Sequence, residues 1–203
     1  MIKFLRVVNF FWLRCRIYYG WSKLFRVFNN RKYRKDNLPI VQSVKELENT
    51  IGAMKWRADT WRQWFDSIEL PEAAFVRMAM GQPAGDCEDI ACAAANMLRL
   101  SALAGFMPTI ANIGLLTVLW KGGGHTVAVF SYTDIKVIAI SGIGVLQERQ
   151  WAHVGNWYDG KIKSRFESLN DIIKDVLSSR ECVGWCYVTP SLEHLQYGTG
   201  SEL

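Results

Sequence analysis

The chain has 203 residues, the size of one domain or of one domain with an extension, which excludes a repeat array or a long multidomain enzyme. Half of the residues are hydrophobic and 21% are charged, a balance that excludes a disordered or fibrous protein. The net charge of +5 is unevenly distributed: residues 1–36 carry ten Lys and Arg against one acid, and residues 37–203 carry fourteen against eighteen. The sequence therefore predicts a basic arm attached to an acidic globule.

The arm, residues 1–36, combines its basic side chains with ten of the 26 aromatic residues. Charges interrupt every apolar run, so we expect neither a membrane-spanning helix nor a cleavable signal peptide. The pattern predicts an amphipathic helical arm with a break near Gly20. Three kinds of partner remain open for it: a partner protein or subunit, an anionic membrane surface, and nucleic acid through the basic tract 31–35.

The cysteines bear on the compartment. There are five, an odd number, and their spacing is not that of a small disulfide scaffold, so they predict reduced thiols. Together with the expected lack of a secretion signal, this predicts a cytoplasmic protein or a component of an assembly such as a virion.

The helical signals come first along the chain. Ser43-Val-Lys-Glu46 has the capping-box pattern and predicts a helix start. Pro71 suits the first position of a second helix. The strongest helical pattern has Asp86 as its N-cap and Gly105 as its stop, with Ala and Leu in between.

From Thr109 onward the chain is rich in β-forming residues. The glycine-rich tract 121–124 and a turn at Thr133-Asp134 are predicted to separate adjacent antiparallel strands. In order, the predicted elements are strands 109–120, 125–132 and 136–146, a helix over 168–177, and a last strand over 184–188. Helices followed by a sheet predict the α+β class for one domain, residues 37–203.

Two residues in this order suggest chemistry. Cys87 falls in the first turn of the strongest helix, where the helix dipole lowers a thiol pKa while flanking carboxylates raise it, so a reactive thiolate there needs a cation nearby. His125 stands at the head of an apolar strand, behind three glycines that would let a substrate approach the backbone. A buried small cysteine and a structural histidine are the alternative interpretations.

The motifs GDCEDIA, which contains Cys87, and GGGHTVAVF, which contains His125, resemble those of the transglutaminase-like cysteine peptidases. This is a papain-like superfamily, and the resemblance is to its bacterial branch and covers roughly residues 56–188. It implies a papain-like core in which Cys87 is the nucleophile and His125 the base. The resulting thioester would be resolved by water, as in a peptidase or amidase, or by an amine, as in a transglutaminase, with a protein or peptide as substrate and no required cofactor.

The resemblance also indicates supporting residues. Gln82 is the candidate side-chain donor to an oxyanion, since related enzymes use a glutamine just before the nucleophile. An Asp or Asn should follow on the next strand, but by position only Ser141 can hydrogen-bond there, and Asp134 is expected in the hairpin turn. Loss of the orienting acid costs much of the rate. The alternative function is therefore a catalytically degenerate fold, a structural or docking component of a virion or other assembly that acts through its arm and forms oligomers.

Some members of this family bind calcium through carboxylates beside the cysteine. Asp86, Glu88 and Asp89 stand at the matching positions, and hard oxygen donors suit Ca²⁺. A solvated first helical turn that complements the helix dipole is the simpler interpretation of the same residues.

Overall fold

A computed structural model describes residues 38–57, 68, 70–107, 109–136, 146–156 and 159–200. The predicted arm, residues 1–36, and the predicted orienting residue Ser141 lie outside the described residues. Within the described part there are four helices and six strands. These are α1 (Val44–Gly52), α2 (Pro71–Ala79), α3 (Cys87–Leu103), β1 (Ile110–Trp120), β2 (Gly123–Lys136), β3 (Leu146–Val154), β4 (Lys163–Phe166), α4 (Leu169–Leu177), β5 (Cys182–Val188) and β6 (His194–Thr199).

The strands form one antiparallel sheet in the order β4-β3-β2-β1-β5-β6. Three helices precede this sheet and one is inserted before its last two strands, which confirms the α+β class. None of the described helices combines the length and the apolar character that crossing a bilayer requires.

The two faces of the sheet pack against different helices because side chains alternate along each strand. On one side, here called the α3 face, Leu115 and Ala128 join a core cluster with α3. On the other side, the α4 face, Leu116, Val118, Val127 and Val129 join a second cluster. The helix α4 supplies that second cluster with Ile172, Ile173, Val176 and Leu177.

The helix starts follow the predicted local signals. Pro71 is the first residue of α2, and the side chain of Asp86 caps α3. Gly105 follows the end of α3 with a φ of +82°, a left-handed conformation that suits glycine. At α1, Ser43 accepts from the N–H of Glu46, while the Glu46 carboxylate reaches past Ser43 to the N–H of Gln42, at 2.7 Å.

The start of α4 carries a full capping box, which can be tested. The Ser168 hydroxyl accepts from the N–H of Asp171 and the Asp171 carboxylate accepts from the N–H of Ser168. We expect Ser168→Ala to lower the free energy of unfolding by about 1 kcal/mol, because the N–H of Asp171 loses its acceptor. Urea denaturation measures the change, and Ser164→Ala, at an exposed position of β4, is the control that should have no such effect.

One prediction about the sheet is wrong. Thr133 and Asp134 do not form a turn: both lie within β2, and Asp134 is paired with Glu148. Of the predicted strand 136–146, only Lys136 and Leu146 lie within the described residues, where they pair with each other as the last residue of β2 and the first of β3. Backbone pairing along a long hairpin outweighs the turn propensity of a Thr-Asp pair here. The sequence did not predict β6, which follows the strand that contains the predicted last strand 184–188.

Candidate site around Cys87

The loop before α3 sets the position of Cys87. Asp86 caps the helix by accepting from the N–H groups of Glu88 and Asp89, at 3.1 and 3.4 Å. Gly85 precedes it with a φ of +149°, and its carbonyl accepts from the N–H of Arg57 at 2.8 Å. This hydrogen bond holds the half-exposed Trp56 in a β-bridge to Gly85, close to the start of α3.

The Cys87 thiol is half-buried and donates a hydrogen bond to the Glu88 carboxylate, with 3.0 Å between Sγ and Oε2. Burial is the main effect that raises the pKa of the Cys87 thiol well above its usual value, and the negative charge of Glu88 raises it further. The backbone N–H of Thr126, on β2, acts in the opposite direction by donating to the sulfur. The balance favours the neutral thiol.

His125 lies on the α4 face of the sheet. It pairs with Val118 of the neighbouring strand β1, and it lies two residues before Val127 on β2. Its side chain is therefore on the same face of the sheet as both valines. Gly155 lies beside it: a Cβ at that glycine would be 3.8 Å from His125 Nε2. The imidazole is therefore directed away from α3, whose first residue is Cys87.

The surroundings of His125 keep it neutral. Burial lowers the pKa of His125 to about 4, and the nearby His153 and Arg180 lower it in the same direction. His153 is fully buried in β3. Its Nε2 lies 2.9 Å from Asp175 Oδ2, and the Lys163 ammonium donates to Asp175 Oδ1, also at 2.9 Å.

The structure thus gathers the predicted residues into two groups. Cys87 contacts Glu88 and Thr126 at the start of α3, while His125 belongs with His153 and its partner Asp175 on the α4 face. It does not bring Cys87 and His125 together. The catalytic assignment of both residues stays a prediction.

The remaining candidates have the following positions. Gln82 is exposed in the turn after α2, where its N–H donates to the Arg77 carbonyl at 2.9 Å. The three candidate calcium ligands have separate surroundings: Asp86 caps the helix, Glu88 accepts from the thiol, and Asp89 is buried. In the described part of the chain, no three His, Cys, Asp or Glu residues are grouped as a metal site would need. Calcium binding stays a prediction.

Sequence reasoning missed the residues that surround the two candidates. Thr126 is fully buried, and its hydroxyl lies 2.9 Å from that of Thr117 across β1, but a threonine in a β-rich run carries no signal of this. His153 and Asp175 are 22 positions apart in sequence. The sequence predicts a helix over 168–177, which carries Asp175, yet only the fold shows that this helix packs against β3.

Comparisons of the chain with protein families, with curated proteins and with solved structures gave no match.

Proposed function

We propose that this protein is a binding or assembly component with a transglutaminase-like, papain-like fold, and that it docks through its basic N-terminal arm rather than by acyl chemistry. The observation that supports this best is the state of Cys87. Its thiol donates to Glu88, and its pKa is raised well above the usual value, first by burial and then by the Glu88 charge.

A thiol nucleophile needs the opposite environment. The thiolate is the reacting form, and papain-like enzymes favour it with an adjacent imidazole that takes the proton. Here a carboxylate occupies the hydrogen-bonding position at Sγ, and His125 lies on the other face of the sheet. The neutral His125, with a pKa of about 4, is also a poor proton acceptor at neutral pH.

The charge division of the chain indicates the partner class. An arm of charge +9 with ten aromatic residues suits an acidic surface that also offers apolar contacts. We place that surface on a partner protein, either another component of an assembly or a neighbouring copy of the acidic globule. An anionic membrane is the alternative that the test below must separate from it.

Acyl chemistry at Cys87 is the second candidate, because one observation favours it. Cys87 begins a helix of 17 residues, and the backbone N–H of Thr126 donates to its sulfur. Both features stabilise negative charge at this point, as an oxyanion site does.

Thiol reactivity separates the two candidates. We expect iodoacetamide to alkylate Cys87 at about pH 7.5 at least tenfold more slowly than it alkylates glutathione, because the raised pKa leaves little thiolate. Glu88→Gln should accelerate the reaction, since it removes the carboxylate that raises the pKa. Peptide mass spectrometry measures the rate at Cys87, and the unfolded protein, which should react freely, is the control.

An activated acyl probe completes this test. Formation of a thioester on the wild-type protein that is lost in Cys87→Ser, together with fast alkylation of Cys87, would refute the docking proposal and establish the second candidate. Slow alkylation without a thioester supports docking.

The docking itself is tested with a variant of the basic tract. In this variant the four basic residues of the tract 31–35 are replaced with glutamine. We expect it to bind more weakly to polyglutamate, a probe for an acidic polypeptide surface. Binding of the wild type to this probe should weaken as salt increases. Fluorescence anisotropy measures the affinity, and Cys87→Ser should bind as the wild type does. The four positions are Arg31, Lys32, Arg34 and Lys35. Binding only to phosphatidylserine vesicles would refute a protein partner in favour of a membrane.

A further inference from the structure

An apolar run is exposed at the C-terminal end of α3. Residues 103–106, with the sequence Leu-Ala-Gly-Phe, are all exposed, and the Leu103 side chain is 74% exposed. The N–H groups of Gly105 and Phe106 donate back to carbonyls of the last helical turn, so the run has a fixed position. Segments at helix ends are normally polar, and four consecutive exposed apolar residues therefore indicate a contact surface.

The chain enters the described globule beside this run. Ser101 connects the two: its hydroxyl accepts from the N–H of Val41 at 2.9 Å, and its carbonyl accepts from the N–H of Phe106 at 3.0 Å. Ile40, the residue before Val41, is 48% exposed. We call Ile40 together with residues 103–106 the α3-end patch. Because the arm ends at residue 36, it joins the globule next to this patch.

The arm has a complementary pattern in its sequence. After the break predicted at Gly20, four apolar residues recur at the helical spacing i, i+3, i+4 and i+7: Trp21, Leu24, Phe25 and Phe28. We call these four residues the arm stripe. Lys23 and Arg26 fall on the opposite side of such a helix. The arm stripe is thus a segment that needs an apolar surface and that brings basic side chains with it.

The charges of the chain favour a contact between copies. Residues 1–36 have a net charge of +9, and residues 37–203 carry fourteen basic against eighteen acidic residues. The Glu46 carboxylate, bonded to the N–H of Gln42 at 2.7 Å, supplies an acid close to Ile40. Arg99, one turn before Leu103, is also exposed, so the basic side of the arm stripe should lie towards Glu46.

We infer that the α3-end patch of one copy binds the arm stripe of a second copy. This inference rests on the proposed docking function and names its partner. Nine residues, 29–37, separate the arm stripe from the first described residue, and they can span at most about 30 Å. A copy whose arm lies on a partner's patch therefore keeps its own patch within reach of the partner's arm. The exchange is reciprocal, and it closes a two-fold dimer instead of an open filament.

Sedimentation velocity of the full chain over a range of concentrations tests the dimer. We expect Leu103→Asp to weaken dimerisation at least tenfold, and Leu24→Asp, in the arm stripe, to weaken it as much. Met80→Asp is the control: Met80 is 66% exposed just after α2, and its variant introduces the same charge but should dimerise as the wild type does. Equal weakening by Leu103→Asp and Met80→Asp would contradict a contact at the patch.

The wild type alone also separates this inference from the docking function. A chain that stays monomeric up to roughly 100 µM would overturn the inference. If that monomer still binds polyglutamate, the docking function stands with a different partner. Loss of both would remove the docking function as well.

Photo-crosslinking decides which copy supplies the arm stripe. The photoreactive amino acid p-benzoylphenylalanine replaces Phe106 in unlabelled and in ¹⁵N-labelled chains, and equal amounts of the two are unfolded and refolded together. We expect mass spectrometry to find position 106 joined to peptides of the arm stripe, with one light and one heavy partner in about half of the pairs. Pairs with only like labels would overturn the inference, because the patch would then bind the arm of its own chain.

Discussion

Acidification is expected to destabilise this protein through His125. Between about pH 7.5 and pH 4 the free energy of unfolding should fall by about 3 kcal/mol more in the wild type than in His125→Gln. The sign follows from the depressed pKa: His125 titrates at about 4 in the folded state, whereas an unfolded histidine titrates near 6.5. Below pH 6.5 the unfolded chain therefore takes up the proton first, and stability is lost as pH falls towards 4.

Urea denaturation at several pH values measures this difference. The other groups that change with pH, His153 among them, are present in both proteins, so the difference between the two curves reports on His125 and its coupling to His153. Parallel stability curves for wild type and His125→Gln would contradict the burial and the electrostatic surroundings that we assign to the imidazole.

The second large effect is expected at Gly85, in the motif that suggested the enzyme family. Its φ of +149° is one that only glycine adopts readily, and a Cβ there would lie 2.6 Å from the Cβ of the buried Asp89. We expect Gly85→Ala to lower the free energy of unfolding by about 3 kcal/mol, through backbone strain and overpacking together.

Gly81→Ala is the matched control. Gly81 also has a positive φ, of +71°, but a Cβ there would meet no atom within 4 Å. It should cost only about 1 kcal/mol, the backbone contribution alone. Thermal and urea denaturation give both values, and equal losses would mean that the contact with Asp89 does not determine the choice of glycine at position 85.

The elements whose ends are set by local chemistry could be predicted from the sequence. Pro71, Asp86, Gly105 and Ser168 act on the N–H or C=O groups of their own helix, so their roles can be derived without knowledge of the rest of the fold. The α+β class follows from the order of these elements.

The turn at Thr133-Asp134 failed as a prediction because its outcome depends on distant residues. Pairing with β3 keeps this segment extended, and the sequence of β3 mixes charged and aromatic residues without a clear strand pattern. His153 was overlooked for the same reason. Its burial results from α4, which follows it in the chain.

The candidate site shows a similar limit. The GDCED motif predicts a capped helix with a cysteine in its first turn, and α3 has both. Whether an imidazole reaches that cysteine depends on which face of β2 it occupies, and this is a matter of pairing register across the sheet. Spacing along the chain does not contain that information.

Side chains alternate between the two faces of the sheet along β2, and this alternation decides which of two neighbouring residues lies near Cys87. His125 and Thr126 are adjacent in sequence, yet one lies on the α4 face and the other contacts Cys87. Exchanging the two, as His125→Thr with Thr126→His, would put an imidazole at the position whose backbone already donates to the sulfur. Which of these two neighbouring positions carries the imidazole therefore decides whether it lies beside Cys87 or on the opposite face of the sheet.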